Sequence, residues 1–408
     1  MIGQRLGPYE ITRLLGCGSM GEVYAAERRD GEFEKEVAIK LIRSRTEYGK
    51  LLERFSLEKQ ILASLGHPNI AGLIDAGTTE FGEPYFVLEL VNGLPIDQYC
   101  RQNNLSVEQK VKLFAKVCEA IHYAHQKLVI HRDIKPSNIM VTIEGEPKIL
   151  DFGIAKFIGR GGEETLEQGA KPMTPRYASP EQVSGLTLTT ATDIYSLGVL
   201  FYEILAGHSP YSCPTMAGLA GCILEQAPKP PSKALLSSIN AATDDDATLL
   251  TGDRTPKERF STLLTQKLLA KRIKGDLDNI ILMTLRKEPE RRYESVLQLR
   301  DDLGRFLKGY PIAARSESKL YVAGKWMKRN RLATALLGLC VIVGVSFFHI
   351  ERRNLQIEAQ RNAEVADFLV TLFSSADPLE ETGLSLRPQS YSIKGSLSFL
   401  RSLLVSHR

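Results

Sequence analysis

The sequence predicts an α+β chain in which a small strand-rich part precedes a large helical part, with one membrane-length helix and a short helical tail after them. Three observations predict this order. Strand-like stretches broken by glycine turns (22–26, 36–40 and 85–91) are gathered before residue 91. Helical spacing of apolar residues takes over from 106–128 onward. The interval 332–350 then runs for nineteen residues without Asp, Glu, Lys or Arg. As a helix it would cover about 28 Å, close to the hydrocarbon thickness of a bilayer.

The small part carries L-L-G-C-G-S-M-G-E-V-Y at 14–24. A lone G-x-G-x-x-G also opens dinucleotide folds, where it runs into a helix. Here a strand-like stretch, a turn at Asp30 and Gly31, and a second strand ending in Lys40 follow instead. Strand, glycine turn, strand, lysine is the order of a flap over ATP phosphates. Gly16, Gly18 and Gly21 let backbone N–H groups approach phosphate oxygens with no Cβ in the way. The stretch 51–65 sets Leu51, Phe55, Glu58, Leu62 and Leu65 on one helical face. Glu58 is therefore core-facing, where an unpaired charge is costly. Y-F-V-L-E-L-V at 85–91 reads as a buried strand running into a glycine-containing link, and the boundary between the two parts is expected there.

After the amphipathic stretch 106–128 comes H-R-D-I-K-P-S-N at 131–138, then an apolar run with a turn at 139–150, then D-F-G at 151–153. Two acids, a lysine and an asparagine so grouped suit phosphoryl transfer. One carboxylate takes a hydroxyl proton, while another carboxylate and an amide oxygen hold magnesium. H-R-D-x-x-x-x-N followed by D-F-G is a protein-kinase signature. Over residues 9–312, about three quarters of the chain, the motifs resemble that family in order and spacing.

The resemblance implies the two-lobed protein-kinase fold, with a β-rich N-lobe at 9–90 and a helical C-lobe at 91–312. It makes Asp133 the catalytic base and Lys135 the group that neutralises charge building on the γ-phosphoryl. Asn138 and Asp151 become magnesium ligands, and Glu58 pairs with Lys40 to hold that lysine toward the phosphates. Leu15 joins Gly16, Gly18 and Gly21 in the ATP-binding set. Leu88 stands at the back of the adenine pocket, Val23, Ala38 and Met140 wall it, and backbone groups of Glu89 and Val91 bond the adenine edge. Asp193 anchors the catalytic loop, and Glu181 with Arg292 ties the docking segment to the end of the lobe. ATP and Mg²⁺ are the implied cofactors.

Lys135 and Thr174 resemble the serine/threonine class, which implies protein Ser/Thr hydroxyls as acceptors, including the chain's own. The segment M-T-P-R-Y-A-S-P-E at 173–181 departs from the family, with Met173 where glycine is usual and Ser179 interrupting A-P-E. Neither change removes a chemical group, though both touch the peptide-docking surface. Arg132 marks kinases in which a phosphorylated loop residue pairs with arginine. In the glycine-rich loop 159–169, Thr165 is the candidate for that residue, and Thr174 is a second regulatory candidate with a structural role beside the base. Two other classes compete: a catalytically weak or dead kinase-fold scaffold at the membrane, and a small-molecule phosphotransferase. The first would lack the lysine, the base or a metal ligand. The second would not need the docking segment or Glu181 and Arg292.

The Pro/Ser/Thr/Asp-rich interval 228–257 is expected to be an exposed insertion. Residues 313–331 form a basic juxtamembrane linker with Lys319, Lys325, Lys328, Arg329 and Arg331. The interval 332–350 is the single transmembrane helix, and 351–408 a short extracytoplasmic helical tail. Basic flanks and the need for ATP place the kinase domain on the cytoplasmic side of the inner (plasma) membrane. The same flank could touch anionic lipid, though a plain topology signal explains it more simply. Val365, Phe368, Leu369, Leu372 and Phe373 make an apolar stripe on the tail helix. Packing against itself or a neighbour is its plain reading, and homodimerisation the functional one. The order of kinase, basic linker and single span resembles bacterial transmembrane kinases that continue into helical repeats. No repeat shows in the final stretch, so a shortened or frame-altered end is one reading.

Composition bounds the rest. The chain is 43% hydrophobic and 25% charged, ordinary for a globular core, and its net charge of +4 does not argue for nucleic acid. The start, M-I-G-Q-R-L-G-P-Y-E, has no apolar core or cleavage site, so no signal peptide is expected. Six cysteines show no C-x-x-C pair or metal-ligand spacing and are expected to be reduced, mostly buried thiols.

Overall fold

The computed structural model describes residues 1–18, 21–42, 48–152, 175–213, 215–237, 256–315 and 318–375. The chain divides into two units, Met1–Arg329 and Asn330–Arg408. Gly153, Thr165, Met173 and Thr174, and the tail beyond 375, lie outside the described residues.

The N-lobe is a six-stranded antiparallel sheet in the order β1-β2-β3-β4-β6-β5. Its strands are β1 (Arg5–Leu6), β2 (Tyr9–Gly18), β3 (Gly21–Arg28), β4 (Glu36–Ile42), β5 (Leu73–Thr78) and β6 (Pro84–Glu89). Strand β4 shows why the sheet has two unlike faces. Val37, Ile39 and Leu41 are fully buried in a core with Tyr9, Ile11, Tyr24 and Val87. With a side-chain period of two, Ala38 and Lys40 must then face the other way, and both line a cleft. Each buried aliphatic side chain contributes about 1.5–3 kcal/mol, so the register that aims Lys40 is set by its hydrophobic neighbours. Helix α1 (Tyr48–Ser64) packs beside this sheet, between β4 and β5 in the chain.

The C-lobe opens with a three-stranded sheet of β7 (Gly93–Pro95), β8 (Ile139–Thr142) and β9 (Pro147–Ile149). Its helices are α2 (Ile96–Gln102), α3 (Val107–Gln126), α4 (Pro180–Val183), α5 (Thr190–Ala206), α6 (Met216–Glu225) and α7 (231–237). They continue with α8 (Pro256–Ile273), α9 (Asp276–Thr284) and α10 (Val296–Lys308). Helix α3 starts on a capping box, Ser106 with Gln109. Helix α5 is the centre of the lobe: apart from Glu203, every residue from Thr192 to Ala206 is buried. It ends at Gly207, whose φ of 80° is left-handed and favours glycine. Gly198 lets α9 approach α5, because a Cβ there would stand 1.9 Å from Thr284 Oγ1. Phe114 of α3 stacks on Phe201 of α5 with centroids 4.3 Å apart.

Two expectations need correction. The interval 228–257 is not wholly an exposed insertion. Helix α7 buries Ser232, Ala234 and Leu235, and Ser232 donates to both oxygens of Asp278 on α9 through its N–H (3.0 Å) and hydroxyl (2.6 Å). Nor are all cysteines reduced thiols: Cys213 and Cys222 form a disulfide, and of the free ones Cys17 and Cys340 are exposed. The turn after α5 and the middle of α6 bring the pair together across nine positions, a spacing that no local pattern announces.

Within the interval read as a linker, α11 (Lys319–Arg329) packs with the C-lobe. The second unit begins with α12 (Arg331–Ser375), one helix of 45 residues. Among the described residues it is the helix long and apolar enough to cross a membrane, and its side chains from 331 to 372 are exposed apart from half-buried Thr334.

Candidate active site

Both lobes contribute to one cavity of about 590 Å³. From the N-lobe, Leu15, Gly16, Gly21, Val23, Ala38, Lys40, Glu58, Leu88 and Glu89 line it; from the link and C-lobe come Val91, Asp133, Lys135, Asn138, Met140 and Asp151. The expected catalytic, metal-binding and adenine-contacting residues thus meet in one place. Gly18 pairs with Gly21 at the tip of the β2–β3 hairpin. At Gly16 no heavy atom stands within 4 Å of where a Cβ would be, so the backbone there is open to a ligand.

The catalytic loop is held from below by Asp193, which is fully buried on α5. Its carboxylate accepts the N–H groups of His131 and Arg132, each at 2.8 Å, and bonds His125 Nε2 at 2.7 Å. Burial works to raise its pKa, but the bond with His125 and the charges and amides around it outweigh that, and the net direction is down. This anchor matters because Arg132 has a φ of 65°, a conformation costly for a side-chain-bearing residue. Asp151 is held similarly at a φ of 49°. His131 links the two places. Its Nδ1 accepts the Asp133 N–H at 3.3 Å and its Nε2 faces the Leu150 carbonyl at 3.1 Å, which the neutral Nε2–H tautomer satisfies. Burial lowers the His131 pKa and keeps the ring neutral.

Around Asp133 the polar groups are ordered by direct bonds. Lys135 Nζ lies 2.8 Å from Asp133 Oδ2. Asn138 donates its amide N–H to the Asp133 carbonyl at 2.8 Å and to Oδ2 at 3.1 Å, which leaves its side-chain oxygen as the available acceptor. A carboxylate at Asp151 and an amide oxygen at Asn138 on one cavity are hard oxygen donors that fit magnesium. Among the described residues no group of three or more His, Cys, Asp or Glu could hold a metal, so nucleotide oxygens and water would have to complete its shell.

One expected pairing is different. Lys40 Nζ is bonded to Asp151 Oδ1 at 2.8 Å, rather than to Glu58. Glu58 is buried beside them, only 6% exposed, and its pKa is pushed up to about 7, chiefly by burial. Lys40 pulls that value down and Asp151 pushes it up. The lysine takes the more exposed carboxylate, and burial leaves the drier one easier to protonate.

At the adenine end, the Glu89 N–H is committed to the Gly72 carbonyl at 2.9 Å, so its own carbonyl is the backbone group it can offer. Its side chain turns away to Lys148, 2.6 Å distant. The cavity is also lined by Arg13, Leu62, Ala71, Phe86, Asn92, Ser137, Ile149 and Phe152, which were not anticipated. Most are apolar, and periodicity cannot tell a cleft wall from a core. Glu181 and Arg292, as expected, form a buried pair with two contacts of 2.8 Å, and Thr192 adds a third bond to Glu181.

Comparisons with known proteins agree with this arrangement. The protein kinase domain family matches residues 9–295. Serine/threonine-protein kinase PknB of Mycobacterium tuberculosis is 32% identical over 308 residues, covering 74% of this chain and 43% of that protein. A probable serine/threonine-protein kinase of Streptomyces coelicolor is 30% identical over 323 residues, covering 78% and 42%. The chain therefore spans less than half the length of these curated relatives. In fold it is similar to a mutant PknI kinase domain from Mycobacterium tuberculosis, with a TM-score of 0.51 at 21% identity over 75% of this chain and 98% of that one.

Proposed function

This chain belongs to the protein kinase family, and on that premise we propose that it is a serine/threonine protein kinase anchored in a membrane. It would transfer the γ-phosphoryl group of ATP to Ser or Thr hydroxyls of proteins, its own loop included. The observation that carries this reading is the convergence of Lys40, Asp133, Lys135, Asn138 and Asp151 on one cavity, from two lobes and three separate stretches of chain. The names of the relatives support the Ser/Thr class.

In this reading Asp133 orients the acceptor hydroxyl and takes its proton, work typically worth about 10²–10⁴-fold. Lys135, already bonded to Asp133, is placed to balance charge on the transferred group. Asn138 and Asp151 would hold magnesium, which when bound supplies charge neutralisation at the phosphates. Lys40 would leave Asp151 for the nucleotide and Glu58 would take over as its carboxylate partner. Val23, Ala38 and Met140 enclose the adenine. The scaffold reading has no support in the cleft, since each group that such a protein lacks is present.

The domain layout follows the sequence reading: kinase domain 9–312, juxtamembrane segment 313–331, span 332–350 and tail 351–408, with the kinase on the cytoplasmic face. The exposed 45-residue α12 supports the span. Phosphosite mapping of the wild type and Asp133→Asn, with Mg-ATP and a generic protein substrate, tests the whole proposal. New phosphoserine or phosphothreonine should appear with the wild type and fall by at least about 100-fold in the variant. Equal incorporation by the two would refute it. Thr165 and Thr174 are the loop positions at which autophosphorylation is to be sought.

A further inference from the structure

Helix α11 presents two unlike faces. Inward, Tyr321 and Lys325, one helical turn apart, both reach Asp276, a buried carboxylate in the first turn of α9. Tyr321 Oη donates to Asp276 Oδ1 at 3.0 Å, and Lys325 Nζ bonds Oδ2. Tyr321 Oη also accepts the Ile312 N–H at 3.3 Å, and the Arg315 guanidinium stacks on its ring at 4.2 Å. Near the end of the helix, Arg329 lies 4.2 Å over the ring of Tyr310. Directed contacts at both ends leave the helix one rotation about its own axis. A flexible tether needs none of them.

Outward, the helix shows apolar surface. Leu320 is 85% exposed, Trp326 45% and Met327 46%. At 100° per residue these three share a side with Ala323 and Lys319, which lies between Trp326 and Ala323 around the helix, while Lys328 falls toward the Tyr321 side. An exposed apolar stripe that carries an aromatic ring and a lysine suits a helix lying at a membrane surface. Connectivity puts it there: the charge-free interval 332–350 begins six residues after Trp326, at most about 20 Å along an extended chain. A second copy of the chain covering this stripe would bury Lys319 without an opposite charge from the same face, whereas anionic headgroups meet it with the opposite sign.

We propose that the outward face of α11 is a docking surface for an anionic lipid bilayer, and that Asp276 sets which side of the helix the membrane receives. The C-lobe is then held at the bilayer by a rigid two-faced helix instead of hanging from a linker. The inference rests on reading 332–350 as a span, so the test reports on each separately.

Trp326 is the one tryptophan in the chain, and its emission therefore reports on α11 alone. The full chain is reconstituted into phosphatidylcholine vesicles with or without phosphatidylglycerol, carrying ordinary or brominated acyl chains, and flotation is measured on the same samples. Brominated lipid is expected to quench Trp326 at least about twofold more in the anionic vesicles, with a loss of that difference in a Lys319→Gln variant. Failure to float would remove the span and this proposal together. Flotation with quenching independent of lipid charge, or unaltered in the variant, would overturn the docking surface and leave the span standing. A blue-shifted emission that brominated lipid does not quench would identify a second copy of the chain as the cover and overturn it as well.

Discussion

Lys40 Nζ stands 2.8 Å from Asp151 Oδ1, and that bond ties strand β4 of the N-lobe to the loop after β9 in the C-lobe. Glu58 shares the site without holding the lysine, and two carboxyls therefore compete for one cation.

The Glu58 carboxyl gives this competition a pH signature. Burial raises its pKa from an ordinary 4.5 to about 7. Between those values the folded chain holds a proton that the unfolded chain has released, so the stability due to the protonated form is complete below about 4.5 and disappears as pH rises through about 7. Melting curves of the nucleotide-free wild type should lose stability across that window relative to Glu58→Gln, by up to about 3 kcal/mol. Parallel pH profiles for the two proteins would show that Glu58 titrates normally.

Asp193 satisfies two backbone N–H groups and His125 from a fully buried position. Asp193→Ala should cost about 3 kcal/mol or more in urea unfolding, because those donors lose their acceptor. Asp193→Asn retains one oxygen and should lie between. Turnover should fall in the same order, since the Arg132 N–H, on a backbone with a φ of 65°, loses its carboxylate acceptor. Unfolding midpoints that do not separate the two variants would contradict this account.

The Glu181–Arg292 pair is buried, with Arg292 fully enclosed. Removing either partner alone leaves an uncompensated charge and should cost about 3–5 kcal/mol. Glu181→Gln together with Arg292→Met should cost much less than the sum of the two single changes. A double-mutant cycle by chemical denaturation reads the coupling directly; additive costs would mean that the ions act independently.

The Cys213–Cys222 bridge closes a short loop in front of α6. Chain-entropy arguments assign such a clip about 2–3 kcal/mol. Reduction, or replacement of both residues by serine, should lower the melting temperature, and peptide mapping without reductant should recover the joined peptides. Recovery of the two free thiols from non-reduced protein would remove the bridge from consideration.

Asp276→Ala should release α11 from the C-lobe, because Tyr321 and Lys325 lose their shared acceptor. Hydrogen exchange across 319–329 should accelerate by about tenfold or more while α5 keeps its protection. Uniform acceleration over the whole C-lobe would instead point to a global loss of stability.

By itself the sequence determined the family, the order of the lobes, the polar residues that meet in the cleft and the membrane-length helix. Each of these is written in local spacing: glycines at a hairpin tip, an aspartate and an asparagine five residues apart, an apolar run with no charge in it. The tertiary structure alone decided which carboxylate Lys40 holds, which cysteines join, that Ser232 caps a buried Asp278, and that 319–329 is a docked helix instead of a linker. Those outcomes are choices among partners brought close from distant parts of the chain. Distance, burial and competing charge settle such choices, and none of the three has a signature in neighbouring residues.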